Sequence, residues 1–471
     1  MAHRETAPVE AVARPSSTDP IVADAGTAIG GPPGRHARTP GRRSALAMAL
    51  LAMTLAMAAG VAQKNQCAQG SWWAGDRQFA NLCYSDLPHA YVRLGLDERT
   101  PPLSEGGGRH PDPAVTPPTA VVSYLTALVS QQLFGRPDVV TRDDRPVDEL
   151  TTDPAVEREA VAFTAVAAVL LTLAALAATA LLTMATGSRP WDVLGLAAAP
   201  VVVLSGLIGW DLLSVLCVCA ALAAWSRRRD LVAGFAVGLG AAFALYPALL
   251  LVAFGVVAVR TRSGERFARA LAGACVVVVP VNLVAYLLQS QGWASYWSAW
   301  SNAPPGLGSY WQLATVVGFQ ADATLADQLQ VLGCVIVVVV LTWLGLVARR
   351  RPRVPQLAFL AVAGVMLVSK SLPVQAGLWL LPLAALARPR WRDLLIWQAC
   401  EAYYFCATWW YLGGFTAGGG VFDGVYTSGV AVRLAGIGWL AAMVVRDIVA
   451  PWLDPVRADA VTDDPASGVL I

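Results

Sequence analysis

The sequence predicts an all-α polytopic membrane protein, and composition and apolar periodicity both support this fold class. The 471 residues are 56% hydrophobic and only 14% charged, which is too little charge to cover the surface of a soluble chain of this length. Apolar runs of about 15–25 residues recur along the chain, and each is long enough to cross roughly 30 Å of hydrocarbon. Such runs must be helices, because the bilayer core offers their backbone groups no water. The net charge of +2 gives no electrostatic reason to expect a nucleic-acid partner.

The chain divides into two tails and one membrane domain. Residues 1–43, rich in Pro, Gly, Thr and Ala, predict a disordered cytoplasmic tail. Residues 44–450 form the transmembrane domain, and residues 451–471 form a second disordered cytoplasmic tail. The basic stretch before the apolar run 45–62 is also typical of a signal peptide. Because the run is long and is followed by a poor cleavage site, we favour a retained first helix.

Arginine indicates the cytoplasmic side, because the only lysines are Lys64 and Lys370. Under the positive-inside rule, the arginine clusters face the cytoplasm. The predicted crossings, about twelve in all, are 45–62, 159–184, 193–209, 211–226, 231–246, 247–259, 271–289, 329–347, 356–371, 374–387, 394–412 and 428–445. Both termini are then cytoplasmic, in a multi-pass protein of the plasma membrane, and the first extracytoplasmic loop is 63–158.

One apolar segment, 114–134, does not fit this count. If it crossed the membrane, every later arginine cluster would move to the outer side, against the positive-inside rule. We therefore interpret it as a re-entrant or interfacial segment on the outer side.

Two of the eight cysteines, Cys67 and Cys83, lie in the first outer loop. In an oxidising compartment they could form a disulfide. The other six fall within predicted helices and are interpreted as small apolar side chains. The cysteine and histidine spacing suggests no metal site, and we expect neither a metal nor a cofactor.

The segment CYSDLPHAY in the first loop carries the first candidate for chemistry. If residues 86–93 form a short surface helix, Asp86, His89 and Arg93 share one face. A carboxylate held at the membrane surface beside a cation suits a general base. A solvated loop position is the alternative interpretation for Asp86, and it is the favoured one for Asp76 in the same loop.

Further candidates mark breaks between apolar runs. In LIGWDLLSV, Asp211 follows Trp210 and fits either a helix N-cap or a site residue. In ALYPALLL, the break at Tyr246 has a structural explanation in the proline that follows. Lys370 in SKSLPVQAGLWLLPL is a cation at the membrane, which favours a functional role, such as holding a lipid phosphate. The tryptophans of 292–313 fit an interfacial belt or a stacking platform for a ligand.

Taken in order, these segments resemble glycosyltransferase family 87. This family belongs to the GT-C class and includes polyprenyl-phosphate-mannose-dependent α-1,2-mannosyltransferases. The segments that carry the resemblance are CYSDLPHAY, LIGWDLLSV, GLGAAFALYPALLL, SKSLPVQAGLWLLPL and RPRWRDLLIWQACEAYYFCATWWYLGG. The similarity covers residues 44–450, and it implies a GT-C-like fold.

The resemblance also implies a reaction. A sugar, mannose in the members named above, would pass from a polyprenyl-phosphate donor to an extracytoplasmic glycolipid or glycan acceptor, with inversion. Asp86 would be the base, and Lys370 would neutralise the leaving phosphate. The residues assigned to substrate binding are His89, Arg93, Trp210, Asp211, Tyr246, Lys370 and Gln375. Membrane lipids would be the remaining partners.

The chain departs from the family pattern at several positions, including Gly209 in place of the Asn of NWDL and SKSLPVQA in place of NKxYSPQY. At two further positions it lacks a charged side chain. Where members commonly carry the glutamate of EYP and the lysine of KLYP or KFYP, this chain has Thr116 and Ala244. Loss of one phosphate-holding cation could cost about 2.7–4 kcal/mol of transition-state stabilisation, which is roughly a hundred- to thousandfold in rate. A catalytically impaired paralogue, serving as a non-enzymatic membrane partner, is therefore the alternative function. A transporter or flippase is disfavoured, because neither internal repeats nor midplane charges are found.

Overall fold

The computed structural model describes residues 41–457, apart from 69–71, 74, 102–114, 143–144, 188, 317, 320–321 and 417–422. Of the described residues, 78% are helical and none lies in a strand, as the all-α class predicts. The helices that build the fold are α1 (Arg42–Ala68), α2 (Asp86–Arg93), α3 (Pro117–Phe134), α4 (Pro154–Ala185), α5 (Asp211–Ser226), α6 (Asp230–Phe243), α7 (Leu250–Arg260), α8 (Gly264–Leu288), α9 (Ser290–Asn302), α10 (Tyr310–Val316), α11 (Ala323–Val347), α12 (Val354–Val368), α13 (Gly377–Ala387), α14 (Trp391–Leu412) and α15 (Gly424–Val449).

Five of these helices are long and apolar enough to cross a membrane, namely α1, α4, α8, α11 and α15. Shorter apolar helices accompany them at Asp211–Ser226, Asp230–Phe243, Tyr246–Arg260, Val354–Val368 and Val374–Ala387. The predicted crossing 193–209 is broken into short pieces, a 3-10 turn at Pro190–Val193 and helices at Leu194–Ala197 and Pro200–Ser205. The helices support a polytopic membrane fold, whereas the count of twelve crossings stays a prediction.

The outermost helix shows the apolar surface that a lipid environment requires. In the most apolar window of α11, only 17% of the residues are buried, and Val335, Val339 and Trp343 are exposed. Helix α12, which packs against it, is buried over most of its length. An exposed apolar face of this extent is unfavourable in water and neutral against lipid tails.

Helices α6 and α8 show how the bundle is held together. A Cβ atom at Gly234 would lie 1.7 Å from the carbonyl oxygen of Ala270, and one at Gly273 would lie 2.2 Å from that of Leu231. Only glycine allows backbones to approach so closely. Small residues at helix interfaces replace the hydrophobic driving force that is missing between helices in lipid.

The arginine-bearing helix ends meet as the predicted topology requires. Arg42 at the start of α1 donates to the carbonyl oxygen of Thr183 near the end of α4, at 2.8 Å. Arg260 at the end of α7 donates to that of Ala348 after α11, at 2.9 Å. Both contacts join ends that the positive-inside rule puts on the same side of the membrane.

Residues 451–457 differ from the predicted tail. After α15 the chain forms a 3-10 turn at Pro451–Leu453, and Asp454 is fully buried in an ion pair with Arg353 at 2.8 Å. The packed domain therefore extends to at least residue 457. The rest of the two predicted tails, 1–40 and 458–471, lies outside the described residues.

The first loop is attached to the bundle by a disulfide and an ion pair. Cys67 and Cys83 form the predicted disulfide. Arg142 in the loop pairs with Glu159 of α4 at 2.8 Å, and Tyr91 at the end of α2 donates to the same carboxylate at 3.1 Å. The loop is therefore a packed part of the fold around α2.

The segment that we interpreted as re-entrant or interfacial forms α3. Its buried positions are Ser123, Thr126, Ala127, Ser130 and Gln131, and its exposed large side chains are Val121, Leu125, Val129, Leu133 and Phe134. The helix thus turns its polar side to the protein and its apolar side outward. Its position relative to the membrane stays a prediction.

Candidate functional site

The loop segment around Ser85 docks α2 onto the start of the LIGWDLLSV segment. The Ser85 hydroxyl donates to the carbonyl oxygen of Leu207 at 2.7 Å, and it accepts from the backbone N–H of Leu87 at 3.3 Å, which caps the helix. The backbone N–H of Asp86 donates to the carbonyl oxygen of Ile208 at 2.8 Å. The predicted helix over residues 86–93 is confirmed, and Asp86 is its first residue.

Three candidate residues from distant parts of the chain meet around Gly209. A Cβ atom on this glycine would lie 3.2 Å from Asp211 Oδ2, 3.9 Å from Asp86 Oδ2 and 4.0 Å from Gln375 Nε2. Because glycine has no side chain, these three polar groups can approach its Cα atom closely. We call this arrangement the Gly209 cluster.

Asp86 is the member of the Gly209 cluster that is best placed to take a proton. Its Oδ1 accepts a hydrogen bond from the Tyr84 hydroxyl at 2.8 Å. Burial raises the pKa of Asp86 above its ordinary value, and the Tyr84 hydrogen bond and the charges of Arg93 and Lys64 partly offset this effect. A carboxylate with a raised pKa is a stronger base than an exposed aspartate.

Asp211 is held by an indole that the sequence analysis missed. Trp379 Nε1 donates to Asp211 Oδ1 at 2.8 Å, and the Trp379 ring stacks on Tyr246 with centroids 5.0 Å apart. The Tyr246 hydroxyl accepts from Ser214 at 3.1 Å. Trp210 occupies the N-cap position of α5 and Asp211 follows it as the first helical residue, so the N-cap interpretation of Asp211 is wrong. Nothing in the local sequence distinguishes Trp379 from the other tryptophans.

The remaining candidates of the first loop and of the Trp210 motif have other surroundings. His89 Nε2 lies 3.1 Å from Gln78 Oε1, and burial together with the nearby Arg93 lowers the pKa of His89 to about 4. The imidazole is therefore neutral at physiological pH. Arg93 is exposed at the end of α2, and the Trp210 ring packs edge-on against Phe163 in the core.

Lys370 belongs to a second group of residues, which we call the Lys370 cluster. Its ammonium group donates to the carbonyl oxygen of Ser301 at 2.9 Å and pairs with Asp327 at 3.3 Å. It also lies 5.2 Å from the centre of the Trp300 ring. The side chain is only 3% exposed, so it is not snorkelling to water. Gln375, five residues further on, belongs to the Gly209 cluster, and the turn between them links the two clusters.

A buried arginine fixes this turn, and the sequence analysis missed it as well. Arg433 of α15 donates to the carbonyl oxygens of Leu372 at 2.9 Å and Pro373 at 3.0 Å. Its charge is matched by Glu401 of α14 at 3.0 Å. A signal was available, because charged residues inside apolar helices carry a default expectation of function.

Comparison with known proteins supports the family suggested by the motifs. The family model for glycosyltransferase family 87 matches residues 155–369, which is somewhat less than half of the chain. No curated protein matches the chain. Asp211 and Tyr246 lie within the matched region, whereas Asp86 and Gln375 lie outside it. Over the matched region, the chain is similar to glycosyltransferase family 87, and it has the helices of a membrane protein.

Proposed function

We propose that the protein is a glycosyltransferase that moves a sugar from a polyprenyl-phosphate donor to an extracytoplasmic glycolipid or glycan acceptor, with Asp86 as the general base. The observation that carries the proposal is the Gly209 cluster, in which Asp86, Asp211 and Gln375 come together from three parts of the chain. The match to the family model supports the reaction class, and the donor sugar, with mannose as our first choice, is part of the proposal.

The two oxygens of Asp86 have different surroundings, which suits a directional proton transfer. Oδ1 is held by Tyr84, and Oδ2 lies on the Gly209 side, 3.9 Å from where a Cβ atom on that glycine would be. In the proposed step, the acceptor hydroxyl gives its proton to Oδ2 while its oxygen bonds to the anomeric carbon. The bond from that carbon to the phosphate oxygen breaks, and the oxygen leaves with the electron pair. Attack from the face opposite the phosphate inverts the anomeric configuration.

The rest of the cluster offers groups that could orient a sugar. Asp211 can accept hydrogen bonds from sugar hydroxyls, and Gln375 can donate one. The stacked rings of Trp379 and Tyr246 make a rigid wall behind Asp211. Positioning by such groups contributes to catalysis, because it removes the entropy cost of aligning donor and acceptor.

Lys370 is proposed to hold the leaving phosphate. Its partner Asp327 is 27% exposed, so this carboxylate has access to water. A phosphate that takes its place would keep the buried ammonium group paired. Charge that develops on the leaving oxygen would be neutralised by the ammonium group.

The proposed location is the plasma membrane, with both termini cytoplasmic and the Gly209 cluster facing the opposite side. The pairing of arginine-bearing helix ends supports this orientation. A lipid-linked donor fits the arrangement, because it reaches an outer-face site without a nucleotide.

The test is sugar transfer by purified full-length protein in nanodiscs, supplied with polyprenyl-phosphate mannose and a membrane glycolipid extract. We expect Asp86→Asn to lower the transfer rate by about 10²–10⁴-fold. Asp76→Asn is the matched control, because Asp76 is exposed in the same loop and should transfer at the wild-type rate. Unchanged transfer by Asp86→Asn would remove Asp86 as the base.

The same experiment addresses the non-enzymatic alternative, which the absence of charged side chains at Thr116 and Ala244 favours. Robust transfer by the purified chain alone ends that alternative. Transfer that requires a second, intact family member, and that survives Asp86→Asn in this chain, would support it instead.

A further inference from the structure

Two contacts fasten the last turns of α1 to the chain just before Asp86. Gln63 Nε2 donates to the carbonyl oxygen of Leu82 at 2.8 Å. Cys67 is disulfide-bonded to Cys83, with the two Cα atoms 5.9 Å apart. Neither contact brings a charge to the loop, so both act by fixing its position.

Lys64 makes a third contact from the same end of α1, and unlike the other two it is ionisable. Burial lowers the pKa of Lys64 to about 7, and the charge of Asp86 partly offsets this effect. Its ammonium group donates to the carbonyl oxygen of Tyr84 at 2.7 Å and lies 5.7 Å from the centre of the Phe405 ring. The side chain is 4% exposed. A lysine buried at the membrane is costly, and it is kept where its charge has a use.

Four ionisable groups face Asp86 from the elements packed around it. They are Arg93 from the far end of α2, Lys64 from α1, Tyr84 from the loop and Asp211 from α5. Arg93 is exposed, so salt and water screen its charge. Asp211 acts in the opposite sense, because two neighbouring carboxylates repel each other. Lys64 is the buried cation of this set.

We propose that Lys64 is a positioning residue for Asp86, which holds the backbone two residues before the carboxylate and supplies its buried counter-charge. The proposal deepens the proposed function and rests on it in one respect, because it assumes that the ionised form of Asp86 is the base. It goes beyond the disulfide and the Gln63 contact, which could fix the loop without any charge.

The first experiment measures the protonation of Asp86 without any sugar transfer. Full-length protein in nanodiscs is treated with dicyclohexylcarbodiimide, which reacts with protonated buried carboxyl groups, at a series of pH values. The extent of labelling at Asp86 is read from the peptide mass, and the midpoint of its pH dependence is compared between variants. The variants are Lys64→Met, Lys64→Arg and, as a charge-neutral control at the neighbouring contact, Gln63→Leu.

Removing a nearby positive charge favours the neutral acid. We therefore expect the midpoint to move to higher pH in Lys64→Met, to return toward the wild-type value in Lys64→Arg and to stay unchanged in Gln63→Leu. Equal midpoints in wild type and Lys64→Met would overturn the proposal. Equal shifts of the labelling midpoint in Lys64→Met and Gln63→Leu would also overturn it, as would labelling of Asp86 that does not depend on pH.

The second experiment measures the transfer rate against pH for the same variants. In Lys64→Met, we expect the acidic limb of the profile to move to higher pH and the maximal rate to fall on the order of 10²-fold through misplacement of the base. Lys64→Arg should restore the limb. Lys64→Met could instead lower the maximal rate without moving the acidic limb, and Lys64→Arg could fail to restore the rate. That result would mean that Lys64 supports the fold and does not affect the ionisation of Asp86. Absence of transfer by wild type would overturn the proposed function, and the labelling midpoints would still decide the role of Lys64.

Discussion

At the arginine-rich end of the bundle, buried carboxylates face guanidinium groups. Asp454 pairs with Arg353 at 2.8 Å, and Arg266 forms a bidentate pair with Asp230. In the Gly209 cluster, the hydrogen bonds to the carboxylates come from neutral groups. Tyr84 donates to Asp86, whereas Trp379 and Gln375 donate to Asp211.

This difference separates carboxylates that hold the fold from those that are suited to chemistry. An adjacent guanidinium favours the ionised form of a carboxylate and fixes its geometry. A buried carboxylate among neutral donors keeps a high proton affinity, which is the condition for proton transfer near neutral pH. The fold thus pairs buried acids at the arginine-rich end with guanidinium groups and leaves the acids of the Gly209 cluster without a guanidinium hydrogen bond.

The largest effect is expected from Asp454→Ala. This change leaves the buried Arg353 without its carboxylate, and removing one partner of a buried ion pair costs about 3–5 kcal/mol of unfolding free energy. Chemical unfolding in detergent micelles measures the loss. Glu265→Ala is the matched control, because its pair with Arg269 is exposed on both sides, and we expect a change within about 0.5 kcal/mol. Similar losses in both variants would break the comparison.

The next effect concerns Trp379→Phe, which keeps the ring that stacks on Tyr246 and removes the N–H that Asp211 accepts. A lost hydrogen bond to a charged group is worth about 1.5–3 kcal/mol, so we expect transfer to fall by about tenfold or more. Trp397→Phe is the parallel change at Glu401, where the indole donates at 3.2 Å. Because Arg433 still neutralises Glu401, transfer should change less there. An equal or larger loss in Trp397→Phe would contradict the distinction.

A smaller effect, with a definite sign, is expected in the pH dependence of stability. Burial raises the pKa of Asp86, so the folded state binds more protons than the unfolded state between the ordinary pKa of aspartate and the raised one. Stability therefore falls as pH rises through this window. We expect Asp86→Asn to be more stable than wild type at neutral pH, and this advantage to disappear below about pH 3.9.

Asp153 is expected to change the pH dependence of stability in the opposite direction. The backbone N–H of Ala155 and the guanidinium of Arg145 lower the pKa of Asp153, so its contribution is present above the ordinary pKa and is lost as pH falls through the lowered one. Asp153→Asn should therefore be less stable than wild type at neutral pH. Thermal unfolding of both variants across the acidic range checks the two signs, and the same sign in both would contradict the assignment.

Much of the architecture follows from local sequence, whereas the site depends on long-range packing. Apolar length predicted the long helices, and the spacing of Asp86, His89 and Arg93 predicted α2, because both patterns involve neighbours in the chain. The tail prediction was wrong at Asp454, since its partner Arg353 is about a hundred residues away in sequence. Trp379 was missed for the same reason, because only the folded chain brings its indole to Asp211. Because lysine is rare in this chain, the sequence did single out Lys64 as unusual. Its contact with the loop before Asp86 could not be derived from that observation.

The smallest effect concerns two of the positions at which the chain departs from the family pattern. Thr116 Oγ1 lies 3.3 Å from the carbonyl oxygen of Phe243, which precedes Ala244, so the two departures are neighbours in space. The glutamate and lysine that related sequences commonly carry would then have formed a pair, and this chain has replaced both partners with small side chains. Thr116→Glu or Ala244→Lys alone should destabilise the protein, because each adds a charge without its partner. In the double variant we expect a favourable coupling of about 1 kcal/mol, measured by thermal unfolding in a double-mutant cycle.

Additive effects would mean that each position had its own role, and the expected hundred- to thousandfold rate loss from a missing cation would then apply. Coupling would mean that the missing lysine belonged to an ion pair like those at the arginine-rich end, and that its loss leaves the phosphate to Lys370.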